Sequence, residues 1–560
     1  MKMTGTRPPA GVPDPAGVAE AAARADPPVL ELQGLTIALP CGGARPAAVR
    51  ALSLAVAPGE AVGLLGAAGA GKSAVADAVL GLLAPALRVD GGRILLEGED
   101  ITRAPAARLR ALRGARVSLL RPEPAAALDP LLSCGAQLER LLERRTRLAR
   151  AARRERALAV LAEVRLPAPE RIAACYAHQL GSGERLRVLT AMALVLDPAL
   201  LVADDPLRAL DPPEQAAFVV LLRELQRRRG MALLWLGDDF ALAAALAQRV
   251  CVLHRGEPVE AGTPRALIAH AQHEQTRQLV AAVPRLQVRE RPARAQAPVV
   301  LRVSGLAMTY RQGRLPGRRR TVQALEDVGF EVRRGQSLGL VGVAGAGKST
   351  LARCVARRLQ PSAGNIRLGR DDITQFRGGE SRPLLRRVQM VLPDQGRLLD
   401  PQRTVHEALV EGPLNFGMPR DLAEDRARDL LELMQLPADA FERPARRLGA
   451  AERQRVVIAR ALMLEPELLV ADEVCSALDL PAQAQLLALF ERISLRLPVA
   501  LLFLTRDLRI ASQVCDEIAV MSAGRIVEQG PVERLCGNPQ HECTRALLAA
   551  ARAPGLAFDA

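Results

Sequence analysis

Gly66-Ala-Ala-Gly-Ala-Gly-Lys72-Ser73 follows an apolar run and precedes a helix-compatible segment, and Gly342-Val-Ala-Gly-Ala-Gly-Lys348-Ser349 repeats this arrangement. Glycines at this spacing let backbone amides converge on an anion, and the following helix presents its positive end to that anion. Glycine-rich loops also form ordinary turns, but two complete copies argue against chance. The pattern therefore predicts two phosphate-binding loops (P-loops), each lying between a strand and a helix.

Each loop ends in the side chains that would hold the phosphates. Lys72 or Lys348 is expected to reach the terminal phosphates as a compact charge, and Ser73 or Ser349 is expected to ligate Mg²⁺. Lysine is otherwise almost absent, because Lys2 is the only further lysine among 76 basic residues. The predicted nucleotide contacts of the two loops are Gly66, Gly69, Gly71, Lys72, Ser73 and Ala74, and Gly342, Gly345, Gly347, Lys348, Ser349 and Thr350.

A second repeated motif supplies acidic residues. Leu200-Leu-Val-Ala-Asp204-Asp205 recurs as Leu468-Leu-Val-Ala-Asp472-Glu473, and each copy is typical of a buried strand that ends in an acidic pair. Asp204 and Asp472 are the predicted ligands of Mg²⁺. Glu473 is predicted to polarise the attacking water. Asp205 occupies the matching catalytic position, but its side chain is one methylene shorter and reaches the water less well.

The repeat divides the chain into tandem domains. The two loop lysines are 276 residues apart and the two strand-end aspartates are 268 residues apart, a period too long for a solenoid. The fold class predicted is α/β, with two P-loop NTPase domains that each carry a helical subdomain, at about 103–180 and 375–447. The predicted boundaries are 1–27 for a disordered leader, 28–283 for the first domain, 284–298 for a linker and 299–560 for the second domain.

Composition narrows the classes of protein further. Hydrophobic residues make up 49% and charged residues 24% of the chain, as in globular proteins. No run of about 18 apolar residues occurs, so no transmembrane helix is expected. Nine scattered cysteines without a CxxC pair indicate a reducing cytosol and no zinc site. The net charge of +15 is spread along the chain as arginine, which suits coding bias, and no aromatic stacking motif favours nucleic-acid binding.

On these residues the chain resembles the ATP-binding-cassette (ABC) transporter ATPases over nearly all of 28–560. It is most similar to the fused two-domain form of the oligopeptide/dipeptide importer branch. Leu128-Asp-Pro130 and Leu399-Asp-Pro401 in the helical inserts carry this likeness, as do the tails Gln272-His-Glu-Gln-Thr276-Arg277 and Pro539-Gln-His-Glu-Cys-Thr544-Arg545. The resemblance implies an ATP-binding subunit that couples ATP binding and hydrolysis to the uptake of peptides or similar small solutes.

The resemblance also implies partners and an arrangement of the sites. The partners would be membrane permease subunits and a solute-binding protein, with the chain on the inner face of the cell membrane and ATP and Mg²⁺ as cofactors. The two domains would pair head to tail within one chain. Ser182 and Gly183 of the first signature loop would then contact the ATP held by Lys348, and Tyr310 would stack on its adenine.

The signature loops and the Q-loops depart from the family pattern. The signature reads Leu180-Gly-Ser-Gly-Glu184 in the first domain and Leu448-Gly-Ala-Ala-Glu452 in the second. Both copies end in glutamate, whose charge is expected to weaken phosphate binding nearby. Pro122 and Pro393 stand where the family has the Q-loop glutamine, and proline offers neither a side-chain amide nor a backbone donor.

The switch histidine of the family is also replaced. Asp238 occupies its position in the first domain, and Arg506 occupies it in the second. Arg506 is expected to be a surface arginine, with the alternative that it stabilises phosphate charge as an arginine finger does. The adenine-stacking aromatic is Tyr310 in the second domain, whereas the first domain has Leu39.

These differences predict an asymmetric pair of sites. Both loops are expected to bind nucleotide, but only the site containing Lys348 and Glu473 is expected to hydrolyse ATP appreciably. One alternative is a nucleotide-binding scaffold with little or no turnover. Another is a soluble tandem ATPase that acts on ribosomes or DNA. The short proline-bearing linker and the lack of heptads and CxxC pairs count against that second alternative.

Overall fold

The computed structural model describes residues 27–38, 47–121, 127–288, 296–312, 320–376, 381–393 and 398–552. Their contacts divide the chain into two compact units. The first unit contains the described residues up to Leu210 and Glu214–Val283, and the second contains Asp211–Pro213 and the described residues of Pro284–Ala553. Most of the predicted leader and the middle of the predicted linker lie outside the described residues, so the predicted domain boundaries stay predictions.

The strands of the first unit form two sheets. They are β1 (Leu30–Ala38), β2 (Ala47–Val56), β3 (Ala61–Leu65), β4 (Arg88–Leu96), β5 (Glu99–Asp100), β6 (Val117–Leu120), β7 (Leu200–Asp204), β8 (Ala232–Gly237), β9 (Arg249–His254) and β10 (Glu257–Gly262). One sheet is antiparallel with the order β2-β1-β4-β5. The other has the order β10-β9-β3-β8-β7-β6, and all of its strands except β10 are parallel.

Helices cover the strands of the first unit. They are α1 (Lys72–Val79), α2 (Ala106–Leu112), α3 (Cys134–Arg145), α4 (Arg150–Glu163), α5 (Pro169–Ala174), α6 (Ser182–Leu194), α7 (Pro212–Arg229), α8 (Phe240–Leu246), α9 (Pro264–His270) and α10 (Glu274–Ala282). Among the helices of the described residues in both units, none is long and apolar enough to cross a membrane.

The second unit repeats this plan. Its strands are β11 (Val299–Gln312), β12 (Arg320–Arg333), β13 (Ser337–Val341), β14 (Ala363–Leu368), β15 (Asp371–Asp372), β16 (Val388–Val391), β17 (Leu468–Asp472), β18 (Ala500–Thr505), β19 (Glu517–Ser522) and β20 (Arg525–Pro531). The antiparallel sheet has the order β12-β11-β14-β15 and the larger sheet the order β16-β17-β18-β13-β19-β20. These orders match those of the first unit strand for strand.

The helices of the second unit follow the same order, except that a 3-10 helix (Ala438–Glu442) stands where the first unit has α5. They are α11 (Lys348–Val355), α12 (Ser381–Arg387), α13 (Val405–Asn415), α14 (Arg420–Leu433), α15 (Ala450–Leu462), α16 (Leu480–Arg496), α17 (Leu508–Val514), α18 (Val532–Gly537) and α19 (Glu542–Ala551). The predicted α/β class with helical subdomains is therefore confirmed in both units.

The larger sheet of the first unit separates two hydrophobic cores. Along β8, Leu233 and Trp235 belong to one core, while Leu234 and Leu236 belong to the other. Every residue of β3, β7 and β8 is buried. Because both faces of a parallel sheet are covered, such strands are continuous apolar runs without alternating polar residues. This explains why short apolar runs in the sequence correctly marked the central strands.

Two features of the sheets differ from the sequence prediction. The segments 103–180 and 375–447, predicted as mostly helical, each contain a strand of the larger sheet, namely β6 and β16. These strands have only four residues, so a short apolar run between helices gave little signal. The antiparallel sheets were not predicted at all, because their pairing joins strands that are distant in sequence and only weakly patterned.

Candidate nucleotide-binding and hydrolysis sites

Glycine is required at defined points of the loop between β13 and α11. Gly347 has φ of 103°, a region that favours glycine, and a Cβ atom there would lie 2.6 Å from the carbonyl oxygen of Ala324. A Cβ atom on Gly342 would lie 2.3 Å from the carbonyl oxygen of Met521. Gly345 also has a positive φ of 80°, but nothing would lie within 4 Å of its Cβ. The backbone therefore packs closely at two of these three glycines.

The loop between β3 and α1 has the same geometry in the first unit. Gly71 has φ of 104°, and a Cβ atom there would lie 2.3 Å from the carbonyl oxygen of Ala48. A Cβ atom on Gly66 would lie 2.4 Å from the carbonyl oxygen of Leu253. The two loops are thus equivalent in backbone, so each offers amides at a helix N-terminus to an anion.

Both loop lysines fold back over their own loop. Lys72 Nζ donates to the carbonyl oxygens of Gly66 at 2.6 Å and Ala67 at 3.0 Å. Lys348 Nζ donates to those of Gly342 at 2.6 Å and Val343 at 3.0 Å. Burial lowers the pKa of Lys348. Each ammonium group therefore lies over the concave side of its loop, where phosphate oxygens would replace the carbonyls as its partners.

The serine after each lysine meets the aspartate that ends the neighbouring strand. Ser349 Oγ donates to Asp472 Oδ1 at 3.1 Å, and Ser73 makes the matching hydrogen bond to Asp204. Burial raises the pKa of both aspartates and outweighs the opposing charges of Arg121 and Lys72 at Asp204 and of Arg353 and Lys348 at Asp472. Hydroxyl and carboxylate oxygens suit Mg²⁺, in whose octahedral shell adjacent ligands lie about 2.9 Å apart. The residues present therefore fit the predicted metal.

Tyr310 of β11 lies beside the start of α11. Its hydroxyl and that of Thr350 are 3.4 Å apart, and its ring packs against the core of this unit. Ala74 is the residue of α1 that matches Thr350. Leu39, at the position of Tyr310 in the first unit, lies outside the described residues.

The predicted catalytic carboxylate of the second unit is held by Arg506. Arg506 Nε donates to Glu473 Oε1 and Arg506 Nη2 donates to Glu473 Oε2, each at 2.7 Å. The Arg506 side chain is 34% exposed, and the choice between a surface arginine and an arginine finger stays a prediction. Burial acts to lower the pKa of Arg506, but its bonds to Glu473 outweigh burial and raise it. Asp211, which groups with this unit, accepts a longer bond from Arg506 Nη1 at 3.3 Å.

The matching carboxylate of the first unit has a different environment. Burial, and next the like charge of Asp238, raise the pKa of Asp205 to about 8. The only ion pair described for Asp205 is to Arg208, at 4.0 Å. Asp205 and Glu473 share an unusual backbone, with φ of 45° and 47°, and such strained positions cluster at functional sites. The two units thus position their carboxylates alike but place them in different electrostatic surroundings.

The glutamates that end the signature loops cap their own helices. Gly181 N donates to Glu184 Oε2 at 3.0 Å at the start of α6, and Gly449 N donates to Glu452 Oε2 at 2.7 Å at the start of α15. A carboxylate at this end is stabilised by the helix dipole. The glutamates therefore have a structural role that the sequence prediction, which considered only phosphate repulsion, did not include.

Besides Glu184, a second carboxylate contacts the first signature loop. Ser182 Oγ donates to Glu214 Oε2 at 3.4 Å, and a Cβ atom on Gly183 would lie 2.5 Å from Glu214 Oε1. Only glycine fits beside Glu214 at that position unless the carboxylate moves. Sequence reasoning missed Glu214, because it lies 32 residues from Ser182 and belongs to no recognised motif.

The two Q-loop positions differ in what the structure describes. Pro393 lies just beyond β16, whereas Pro122 lies outside the described residues. Arg121, the residue before Pro122, forms an ion pair with Asp77 of α1. Its charge also acts to lower the pKa of Asp204, although burial dominates. Arg121 was missed as a site residue because single arginines are common in this chain.

Comparison with known proteins agrees with this geometry. The family described as ABC transporter matches residues 49–208 and 325–476. A peptidoglycan transport ATP-binding protein of Agrobacterium fabrum is 35% identical over 531 residues, covering 94% of this chain and 96% of that protein. Glutathione import ATP-binding proteins of Pectobacterium atrosepticum and Escherichia coli K12 are each 34% identical, covering 93% of this chain and 89% of those proteins.

Fold, loops and acidic strand ends define two tandem P-loop ATPase domains in one polypeptide. The chain belongs to the ABC transporter family, as its repeated motifs predicted. It is an ATP-binding ABC ATPase whose relatives match it along nearly its whole length.

Proposed function

We propose that this chain is the ATP-binding subunit of an importer for peptides or similar small solutes. The support is its similarity, over 93–94% of the chain, to ATP-binding proteins named for peptidoglycan transport and glutathione import. Membrane permease subunits and a solute-binding protein would be its partners, and the chain itself would lie on the inner face of the cell membrane. Binding and hydrolysis of ATP would supply the work of uptake.

The second unit would carry most of the hydrolysis, because its carboxylate, Glu473, has a side chain one methylene longer than that of Asp205, its counterpart in the first unit. Ser349, Asp472 and Glu473 are brought together beside Lys348, with Ser349 Oγ bonded to Asp472 at 3.1 Å. Lys348 and the loop amides would hold the phosphates, and Ser349 and Asp472 would hold Mg²⁺. Glu473 would orient a water molecule towards the terminal phosphorus and accept its proton. Bound Mg²⁺ would neutralise charge on the phosphate oxygens.

The first unit would bind nucleotide with little turnover. Its loop and Lys72 match those of the second unit, so phosphate binding needs no missing group. Asp205, in contrast, has a shorter side chain and a pKa of about 8. A carboxyl group whose pKa is raised in this way is less often ionised at pH 7, so it is less often able to accept a proton from water. The contact of Ser182 and Gly183 with ATP held by Lys348 is proposed on resemblance alone.

The test is Mg²⁺-dependent ATP hydrolysis by the purified chain and two loop variants. We expect Lys348→Ala to lower the rate about 100-fold, because oriented charge on the phosphates is lost. Lys72→Ala should change the rate by less than about threefold. Lys2→Ala is the matched control, since it removes the only lysine outside both loops.

Two outcomes would overturn parts of this proposal. Hydrolysis that is lost in Lys72→Ala but kept in Lys348→Ala would assign the working site to the first unit. Nucleotide binding without hydrolysis, even with the permease subunits present, would instead support the scaffold alternative. Uptake assays in vesicles that contain the permease and the solute-binding protein would then test transport directly.

A further inference from the structure

Arg506 and Glu473 meet because of the register of two neighbouring strands. In the parallel pair of β17 and β18, Asp472 lies opposite Leu504. The backbone N–H of Glu473 continues the pairing by donating to the carbonyl oxygen of Leu504 at 3.1 Å. Glu473 and Arg506 therefore leave the same edge of the sheet on adjacent strands, within side-chain reach of each other.

The contact occupies both carboxylate oxygens. Two N–H groups of the planar guanidinium face the two oxygens of Glu473, and each distance is 2.7 Å. The Glu473 side chain is only 13% exposed, so water competes weakly for the pair. Bidentate, charge-assisted pairs of this kind are the strongest and most directional hydrogen bonds between protein side chains.

Such a pair opposes the chemistry required of Glu473. To activate water, the carboxylate must turn an oxygen towards that water and take up its proton. The guanidinium faces both oxygens and holds the carboxylate plane in a fixed direction. The same contact that orders Glu473 therefore also restrains it.

The restraint distinguishes the second unit from the first. The residue that follows β8, at the position matching Arg506, is Asp238. Its charge has the same sign as an ionised Asp205 and cannot form such a pair. Two units with the same strand order thus carry opposite charges at one position beside the hydrolytic carboxylate.

We propose that Arg506 is a positioning residue that locks Glu473 in a bidentate ion pair, so that the second site binds ATP but hydrolyses it slowly. The inference rests on the proposed function of that site as the working ATPase. It predicts that hydrolysis becomes faster when the guanidinium is removed.

The experiment measures kcat and KM for ATP in a Lys72→Ala background, where the second site alone contributes. We expect Arg506→Gln to raise kcat about tenfold, because a Glu473 carboxylate that is free to turn would regain part of the rate that a general base supplies. KM should change by a smaller factor than kcat. Arg506→Lys keeps the charge without the planar fork, so its kcat should lie between that of the Lys72→Ala parent and that of Arg506→Gln.

A second pair of variants tests whether Arg506 acts through Glu473. In a Glu473→Gln background, Arg506→Gln should leave kcat unchanged, because the restrained group is already gone. Arg525→Gln is the matched control. It removes another Arg–Glu pair of the same unit, the exposed pair with Glu326, and should not alter kcat.

The results separate this inference from the proposed function. A fall in kcat, or no change, for Arg506→Gln would overturn the lock, since Arg506 would then assist hydrolysis or be neutral. If the wild type shows no detectable hydrolysis, its appearance in Arg506→Gln supports the lock and its absence there overturns it. Arg506→Met replaces Arg506→Gln if the latter does not fold, as judged by thermal melting. Dependence of hydrolysis on Lys72 in place of Lys348 would overturn the site assignment instead.

Discussion

The two units share their phosphate loops but differ in the surroundings of the hydrolytic carboxylate. Lys72 and Lys348 make the same two contacts to loop carbonyls, at the same distances. Asp205 has a pKa of about 8 in a buried environment facing a like charge, whereas Glu473 is bonded to a guanidinium. The backbone determines the geometry of the phosphate loop, whereas a few side chains determine the surroundings of the carboxylate. The carboxylates can therefore differ between two units whose loops are the same.

The largest effect should come from neutralising the two carboxylates in turn. We expect Glu473→Gln to lower ATP hydrolysis by about 100-fold or more, because the general base is removed. Asp205→Asn should change the rate by less than about twofold, since a protonated carboxyl group resembles the amide. Steady-state hydrolysis at pH 7 measures both. Equal losses in the two variants would show that the sites work alike.

A smaller effect on nucleotide affinity is expected from the loop glycines. Gly347→Ala should weaken ATP binding about tenfold, because its Cβ would meet the Ala324 carbonyl at 2.6 Å and displace the loop. Gly345→Ala is the matched control, with a positive φ but no atom within 4 Å. Binding is followed with a fluorescent ATP analogue in the Lys72→Ala background. If both variants bind the ATP analogue equally well, close packing at Gly347 does not determine the affinity for ATP.

The smallest effect concerns the tails, where the two units agree. Glu260 accepts bonds from the amides of Gln272 and His273 at 3.0 and 3.1 Å. Glu528 accepts the matching bonds from Gln540 and His541, both at 2.9 Å. Burial acts to raise the pKa of each glutamate, but these bonds outweigh it and lower the pKa below its ordinary value of 4.5.

Because the folded pKa is lowered, each glutamate stabilises its tail above pH 4.5, and this contribution is lost as the pH falls through the lowered pKa. Glu260→Gln and Glu528→Gln should each lower Tm at pH 7 by about 2 °C, with a smaller difference from the wild type at pH 3. Scanning calorimetry measures this. Glu257→Gln, in an exposed pair with Arg50, is the control. Unequal changes in Tm for the two variants would show that the two tails are not equivalent.

Much of the site could be predicted because each of its motifs is a short stretch of sequence with characteristic residue types. Lys348 and Ser349 lie in one loop that must have glycine at fixed points, and Asp472 ends an apolar strand. The residue types and the spacing of each motif are enough to predict its chemistry. The lack of other lysines strengthened the prediction without any knowledge of the fold.

The contacts that modify the site could not be predicted in this way. Arg506 meets Glu473 across 33 residues, and Glu214 meets Ser182 across 32. Only strand register and helix packing bring these residues together. The position of Arg506 was recognised as unusual, but its partner depended on which strands were neighbours.

The sequence by itself determined that this chain has two P-loop ATPase domains, because anion binding by a glycine loop and a strand-end carboxylate needs specific residues at short range. The tertiary structure alone decided which groups surround those carboxylates. Burial, like-charge repulsion and ion pairing depend on groups that folding brings together from distant parts of the chain, so these properties appear only when the strands are in place.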